Sequence, residues 1–351
     1  MNGYEIGSDA GYGRGDDYRA ITYENFHLAY IDQLRLVYRC PSHYNSPRGY
    51  PSRERLAAQF CLLDPRQRIP FVPARRTNII FGFAEALWYL AGRDDLSFIA
   101  YYAPSMSRYS ADGRTLTGTA YGKKILSGFG RRSQWDEVIA QLKDDPDSKR
   151  AVLQIFDASE LRVPGNTDVS CTLGLQFLLR ERRLHTVAYM RANDAYRGMV
   201  SDVFSFTFLQ EFLATELGAH VGTYTHVAGS LHVYASDDRR VEAVLEDPAA
   251  SAGAPFVFPA MPAMDNWAAL RVVLEMEEAL RTNRHALDLD TTALGLPHYW
   301  CQVLILFEFY RRLRHGAAIT LGLTSLLDPV FRYFVQARWA GAPATAGPFA
   351  P

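Results

Sequence analysis

The run Ser170-Cys171-Thr172-Leu173-Gly174-Leu175-Gln176-Phe177-Leu178-Leu179-Arg180-Glu181-Arg182-Arg183-Leu184-His185-Thr186-Val187-Ala188-Tyr189-Met190-Arg191-Ala192-Asn193-Asp194 decides how this chain folds. Residues 173–179 and 184–190 are enriched in strand formers and flank the charged turn 180–183, so they read as a β-hairpin. A third such run covers 150–156. Downstream, Val203, Phe206, Phe208, Leu209, Phe212, Leu213 and Leu217 give a broad helical face stopped by Gly218, followed by a short strand at 224–227. Ser236 is expected to cap a helix at 237–245. Further helices are expected at 23–39, 78–90 (closed by Gly92), 135–143, 267–281 and 299–314, with a turn-rich stretch at 41–51. No internal repeat or linker divides the chain. The pattern predicts one α+β domain over 21–340, a sheet covered by helices, between a flexible extension at 1–20 and an Ala/Gly/Pro tail at 341–351.

With 351 residues, 48% hydrophobic and 13% aromatic, the chain can bury a sizeable core. Its formal net charge of −1 supplies no basic field, which argues against a nucleic-acid partner; a bound phosphate must be met by local arginines. Cys40, Cys61, Cys171 and Cys301 are widely spaced without a Cys-x-x-Cys pair, and His43 near Cys40 lacks a second ligand pair. No metal site is expected, and the pattern reads as a reduced, cytoplasmic protein. No apolar leader and no apolar run near the ~18 residues of a membrane span is found, so a soluble, non-exported protein is expected.

Several side chains could hold and attack a ligand, and each has a plainer reading. Cys171 is a candidate nucleophile, yet a lone cysteine serves equally as a small buried apolar residue. Glu85 interrupts Phe83-Ala84-Glu85-Ala86-Leu87-Trp88, where a carboxylate needs a partner or a function. Asp202 follows Ser201 at a helix start, where it either caps or faces a ligand. Arg48 in Ser46-Pro47-Arg48-Gly49-Tyr50 and the pair Lys149-Arg150 are anion contacts or ordinary solvated cations. His232 and Tyr234, two apart on a strand, share one face, as a ligand-facing pair or a structural one.

Joint order and spacing favour function. Arg48-Gly49, Glu85-Ala86-Leu87-Trp88-Tyr89-Leu90, Tyr121-Gly122-Lys123, Asp147-Ser148-Lys149-Arg150, Cys171 through Gln176-Phe177, Arg191-Ala192-Asn193-Asp194, Gly198 and His232-Val233-Tyr234 lie in the order of a known family. From about residue 23 to residue 234 the chain resembles the thymidylate synthase superfamily, and within it the pyrimidine nucleotide 5-hydroxymethylases. The resemblance implies an α+β fold with a central mixed sheet covered by helices, a homodimer packed through that sheet, and 5,10-methylene-tetrahydrofolate as co-substrate. It makes Cys171 the nucleophile that adds to carbon 6 of a pyrimidine, as a thiolate favoured by neighbouring positive charge. Arg48 and Arg191 would grip the phosphate with paired donors, and Lys149 and Arg150 would reach the partner's site. Glu85 would organise water and proton transfer, Tyr121 would help remove the carbon 5 proton, Asp194 and Gly198 would serve the folate, and His232 and Tyr234 would hold sugar hydroxyls.

Departures from the family pattern narrow the expectation. Asp202 stands where uracil-specific members carry asparagine, and a carboxyl acceptor suits the exocyclic amine of cytosine. Ring nitrogen 3 of cytosine has no hydrogen, so either it or Asp202 must carry an extra proton. Ser107 falls where thymidylate synthases place a bulky tryptophan; a small hydroxyl residue there would admit water to the one-carbon intermediate. Thr172 and Val200-Ser201 replace other family residues and further weaken the case for reductive methylation. Ala192 and Lys149 replace a serine and an arginine around the phosphate, as in the branch that acts on CMP in nucleoside-antibiotic pathways, and imply room for a ribose 2′-hydroxyl. The expected activity is 5-hydroxymethylation of CMP. Alternatives are dCMP hydroxymethylation, thymidylate synthesis on dUMP, and a catalytically silent nucleotide-binding subunit.

Overall fold

The computed structural model describes residues 21–126, 128–129 and 132–339. The expected extension at 1–20 and tail at 341–351 lie outside the described residues. In chain order the elements are β1 (Ile21–Tyr23), α1 (Phe26–Arg39), β2 (His43–Asn45), β3 (Ser52–Leu62), α2 (Ile79–Leu90), α3 (Leu96–Tyr102), α4 (Tyr121–Leu126), β4 (Gly128–Phe129), β5 (Arg132–Ser133), α5 (Gln134–Asp144), β6 (Val152–Gln154), β7 (Thr172–Arg180), β8 (Arg183–Met190), β9 (Asn193–Asp194), α6 (Met199–Glu216), β10 (His220–Tyr234), α7 (Asp238–Glu246), α8 (Asn266–Arg281), α9 (His298–His315), α10 (Leu321–Ser325) and α11 (Pro329–Trp339).

The hairpin forms as read. β7 and β8 pair antiparallel up to Arg180↔Arg183, and the two turn residues, Glu181 and Arg182, both take positive φ (50° and 59°), as a tight hairpin turn requires. Around it grows a mixed sheet in the order β1-β3-β10-β8-β7-β6, with β2 added to β3 and β9 to β10. β10 runs parallel to β8 and antiparallel to β3. One row across the sheet, Leu153, Leu175, Ala188, His226 and Phe60, is fully buried. The adjacent row, Val152, Gln176, Val187, Thr225 and Cys61, points to the opposite face and stays partly open, Val152 being 46% exposed.

The buried face is covered by α6, which packs on β8, β10 and α2. Nearly every residue of α6 from Met199 to Ala214 is buried, so it reads as apolar all round rather than as a one-sided surface helix. α4 approaches α2 closely because residue 122 is glycine: a Cβ there would lie 2.1 Å from the Tyr89 carbonyl oxygen.

Several boundaries differ from the sequence reading. The run 150–156 forms strand only over Val152–Gln154. The short strand expected at 224–227 is the middle of a fifteen-residue strand, β10, interrupted in pattern by Gly222 and Gly229. β3 was not foreseen: Arg53, Glu54 and Arg55 break its apolar alternation, and Ala57 carries a positive φ of 53°. The stretch 41–51 contains β2. Helix α7 follows a 3-10 turn over Ala235–Asp237, and Ser236 does not cap it; its hydroxyl instead accepts from Arg197 at 3.3 Å. The short helices α3, α4 and α10, and α11, were not anticipated.

Candidate active site

Cys171 sits immediately before β7, next to a β-bulge in the β7–β8 ladder between Thr172 and Gly174. The Arg191 amide donates to the Cys171 carbonyl at 2.8 Å, and one guanidinium nitrogen lies 3.7 Å from Sγ. That guanidinium is held by the carbonyls of Ser170 and Val169 at 2.8 and 2.9 Å. Burial nevertheless pushes the thiol up; Arg191 and, more weakly, Arg48 oppose this, while Asp202 and Asp168 add to it. Arg191 and Arg48 act in the expected direction, toward the thiolate, and burial outweighs them. Arg48 is exposed in a turn at φ 55°, within electrostatic reach of the sulfur.

The segment ahead of Cys171 is pinned by residues to which the sequence reading gave no role. Asp168 accepts from the amides of Thr117, Gly118 and Thr119 at 2.8, 2.8 and 2.9 Å. The Ser170 amide donates to Glu160 at 2.7 Å and Lys124 donates to the Ser170 hydroxyl at 2.6 Å, while Lys124 also pairs with Glu160. These contacts tie the Cys171 segment to the loop that leads into α4, whose first residue is Tyr121. Tyr121 is buried, stacks on Tyr89 at 5.2 Å, and its hydroxyl is held well above the usual range by burial, with Cys171 and Asp202 adding to the rise.

Glu85, on α2, is 6% exposed and accepts from Ser205 of α6 at 3.0 Å. Burial, with the nearby Asp202 carboxyl second, pushes it up to about 8. Asp202 does not cap α6: the N-cap is Gly198, and Asp202 lies four residues into the helix, half-buried, accepting from the side-chain amide of Asn193 at 2.7 Å. Burial pushes its carboxyl up to about 7; the Asn193 bond opposes the rise and Asp194 adds to it. Asn193 was quoted in the sequence motif without a function. Its Oδ1 meets His226 Nε2 at 3.0 Å, and His226 Nδ1 meets the Tyr224 hydroxyl at 2.8 Å. The signal for that pair was available: His226 and Tyr224 are two apart on one strand, the spacing that singled out His232 and Tyr234.

His232 and Tyr234 pack edge to face at 5.1 Å, half-buried at the end of β10, where His232 is paired in register with Asp194. Asp194 Oδ1 accepts from the amides of Tyr196 and Arg197 at 2.9 and 2.8 Å, and burial raises its carboxyl. Ala192 is half-buried in the same turn. Gly198 closes that turn against Asp202: a Cβ on it would lie 3.2 Å from Asp202 Oδ2. Three expected site residues are not drawn into this cluster. Ser107 is exposed on the 3-10 turn Pro104–Tyr109. Lys149 and Arg150 are exposed at the outer edge of the sheet, Arg150 lining a shallow surface hollow with Glu137, Gln141 and Asp144. Among the described residues no cluster of His, Cys, Asp and Glu could hold a metal ion, and no helix is long and apolar enough to cross a membrane.

A thiol under a guanidinium, with the Asp202 carboxyl in electrostatic reach and Glu85 behind it, the acidity of both carboxyls weakened by burial, is suited to nucleophilic chemistry with acid–base support on an α+β scaffold. The chain belongs to the thymidylate synthase family, whose profile matches residues 28–261. Among curated proteins it is similar to the deoxyuridylate hydroxymethyltransferase of Bacillus phage SP01, 33% identical over 221 residues, which cover 59% of this chain and 57% of that protein. The deoxyuridylate hydroxymethyltransferase of Pseudomonas phage M6 is 33% identical over 174 residues, 49% of each chain. That of Delftia phage PhiW-14 is 28% identical over 219 residues, 59% of this chain and 60% of its own. The chain thus spans about half to three fifths of the length of the relatives it matches.

Proposed function

We propose that this protein is a one-carbon transferase that 5-hydroxymethylates CMP with 5,10-methylene-tetrahydrofolate and water. The observation that carries the reading is Asp202, a half-buried carboxyl pushed up to about 7 beside Cys171 and Glu85, which offers one acceptor and, at neutral pH, one proton. The cytosine edge presents an amine at position 4 and a bare nitrogen at position 3, and a protonated carboxyl complements both.

In this reading Cys171 gives its proton to solvent, to be regained when the thiol departs, and its sulfur bonds to carbon 6 of the ring. The electron pair released from the 5,6 double bond is accommodated through ring nitrogen 3, which takes a proton from Asp202. Arg191, locked over the sulfur, stabilises the thiolate as it forms and contacts the phosphate together with Arg48. The folate supplies the methylene group and leaves as tetrahydrofolate. Glu85, protonated near neutral pH and bonded to Ser205, relays protons around the base, and Tyr121 faces carbon 5 and assists loss of its proton. Water adds to the methylene carbon and the thiol departs, so no net oxidation or reduction occurs. Asp194 fits a pterin because only Oδ1 is engaged by backbone amides, leaving Oδ2 to accept from ring N–H groups. His232 and Tyr234 hold the sugar hydroxyls. Ala192 and Lys149 give the sugar room for a 2′-hydroxyl, in the manner of the CMP hydroxymethylase of mildiomycin biosynthesis, with dCMP the nearest competing substrate. Ser107, exposed outside the cluster, would admit the water only if the folate reaches the 3-10 turn Pro104–Tyr109.

The open row Val152, Gln176, Val187, Thr225 and Cys61 supports a homodimer packed sheet to sheet. Lys149 and Arg150, exposed at the sheet edge, then serve the partner's phosphate.

A second reading rests on the relatives, whose names give a uracil deoxynucleotide as substrate. Product mass after incubation with methylene-tetrahydrofolate and CMP, dCMP, UMP or dUMP separates the cases. Gain of one CH₂O unit, most efficiently on CMP, is expected. Gain of CH₂ with release of dihydrofolate would mean thymidylate synthesis, and a higher kcat/KM on dUMP would assign the relatives' base.

A further inference from the structure

We infer that the buried relay Tyr224–His226–Asn193 fixes which oxygen of Asp202 accepts a hydrogen bond and which carries the proton, and so sets the base that this site reads. The inference rests on Asp202 facing the base. A protonated carboxyl by itself is ambiguous: with its O–H on nitrogen 3 and its carbonyl on the amine it reads cytosine, and with O–H on oxygen 4 and carbonyl on N3–H it reads uracil. The carboxyl at 202 thus makes cytosine readable, and the position of its proton decides whether cytosine is read in preference to uracil.

The relay has one consistent polarity. Tyr224 is fully buried, and among the described contacts its hydroxyl meets only His226 Nδ1, at 2.8 Å, so it donates there. Burial depresses the His226 imidazole to about 3, which leaves it neutral with a single N–H, now on Nε2. That N–H donates to Asn193 Oδ1 at 3.0 Å, which turns the amide nitrogen toward Asp202 Oδ2 at 2.7 Å. Phe60, stacked on His226 at 5.0 Å and 17°, holds the ring plane. The opposite polarity would strand the phenol hydrogen unpaired in the core. Gly198 leaves space for the Asn193–Asp202 bond, since a Cβ there would crowd both groups at 3.2 and 3.4 Å. Oδ2 is thus the acceptor for the exocyclic amine, and Oδ1 carries the proton that passes to nitrogen 3 as sulfur bonds to carbon 6. Asp202 becomes a carboxylate at that step and recovers its proton when the thiol leaves.

Tyr224, His226 and Asn193 are positioning residues, and the readout is the ratio of kcat/KM for CMP to that for UMP. Tyr224→Phe, which removes one oxygen behind the pocket, should lower the ratio about 2- to 10-fold, the worth of one hydrogen bond. Asn193→Ala should lower it about 5- to 150-fold, the range of one bidentate base contact. Damage to packing alone would reduce turnover of both nucleotides alike and leave the ratio unchanged. A wild-type ratio in both variants, each with near wild-type thermal unfolding, would overturn the relay. Wild-type enzyme that prefers UMP would instead overturn the cytosine reading, and the relay would still be judged on whether the ratio moves.

Discussion

The buried Glu85 and half-buried Asp202 carboxyls should make the free protein less stable as pH rises, an effect that can be isolated. Asp202 is raised from 3.8 to about 7 and Glu85 from 4.5 to about 8. Each stays protonated in the folded protein where its unfolded counterpart is ionised, so unfolding releases protons. The associated stability is fully present below about pH 4 and is lost as pH rises through 7 to 8. Each displacement is about 3 pKa units, or about 4 kcal/mol at 1.36 kcal/mol per unit. Part of the Glu85 rise comes from Asp202 itself and Asp202 is partly open to solvent, so about 3–5 kcal/mol for the pair is the working figure. His226 acts in the other sense: depressed to about 3, it gains stability as pH rises toward 6.5. The informative quantity is therefore the difference in Tm between wild type and Asp202→Asn/Glu85→Gln, measured without nucleotide from pH 5 to pH 8. At about 2 °C per kcal/mol for a chain of this size, the variant should gain about 5–10 °C on wild type across that range. A difference that does not change with pH would refute the burial argument, and with it the proton that Asp202 is proposed to supply.

Cys171→Ala should abolish turnover while CMP binding, followed by calorimetry, stays within about threefold; activity near wild type would exclude covalent catalysis. Ala192→Ser with Lys149→Arg should move the ratio of kcat/KM toward dCMP, and an unmoved ratio would assign ribose selection to other residues. Val187→Glu, on the open row of the sheet, should convert a dimer to a monomer in sedimentation and remove activity together. A monomeric, fully active variant would show that each protomer's site is complete.

What the sequence revealed depended on how locally each element is encoded. The β7–β8 hairpin was legible because its strand formers are uninterrupted and its turn is charged. Helices α2, α8 and α9 were legible because each closes a periodic apolar face. Strand β3 was not, because its first half, Arg53-Glu54-Arg55, is polar, and its assignment comes from pairing with β10, a contact between residues far apart in the chain. β10 itself was read as four residues rather than fifteen because Gly222 and Gly229 look like breakers; Gly229 in fact lies close to Arg191, where a Cβ would sit 3.0 Å from its carbonyl oxygen. At the site, Cys171, Arg191, Glu85 and Asp202 were picked out by chemistry and Tyr121 by the family resemblance, and they converge in space. Asn193, Asp168 and Glu160 were passed over because an amide beside a motif or an acid in a loop carries no signal until its partners are known. Burial of the Cys171 thiol, which outweighs the pull of Arg191 toward the thiolate, is likewise a property of packing that one-dimensional charge counting does not contain.

The hydrogen-bond chain behind Asp202 has a consequence for any attempt to redirect the substrate range. A mutant library that randomises only positions in contact with ligand would leave Tyr224 and His226 untouched, since both are sealed in the core beneath α6. Yet these would be the positions where a change of one atom alters what the carboxyl offers without reshaping the cavity. Selectivity in this fold would then be inherited from residues that never meet the molecule they select.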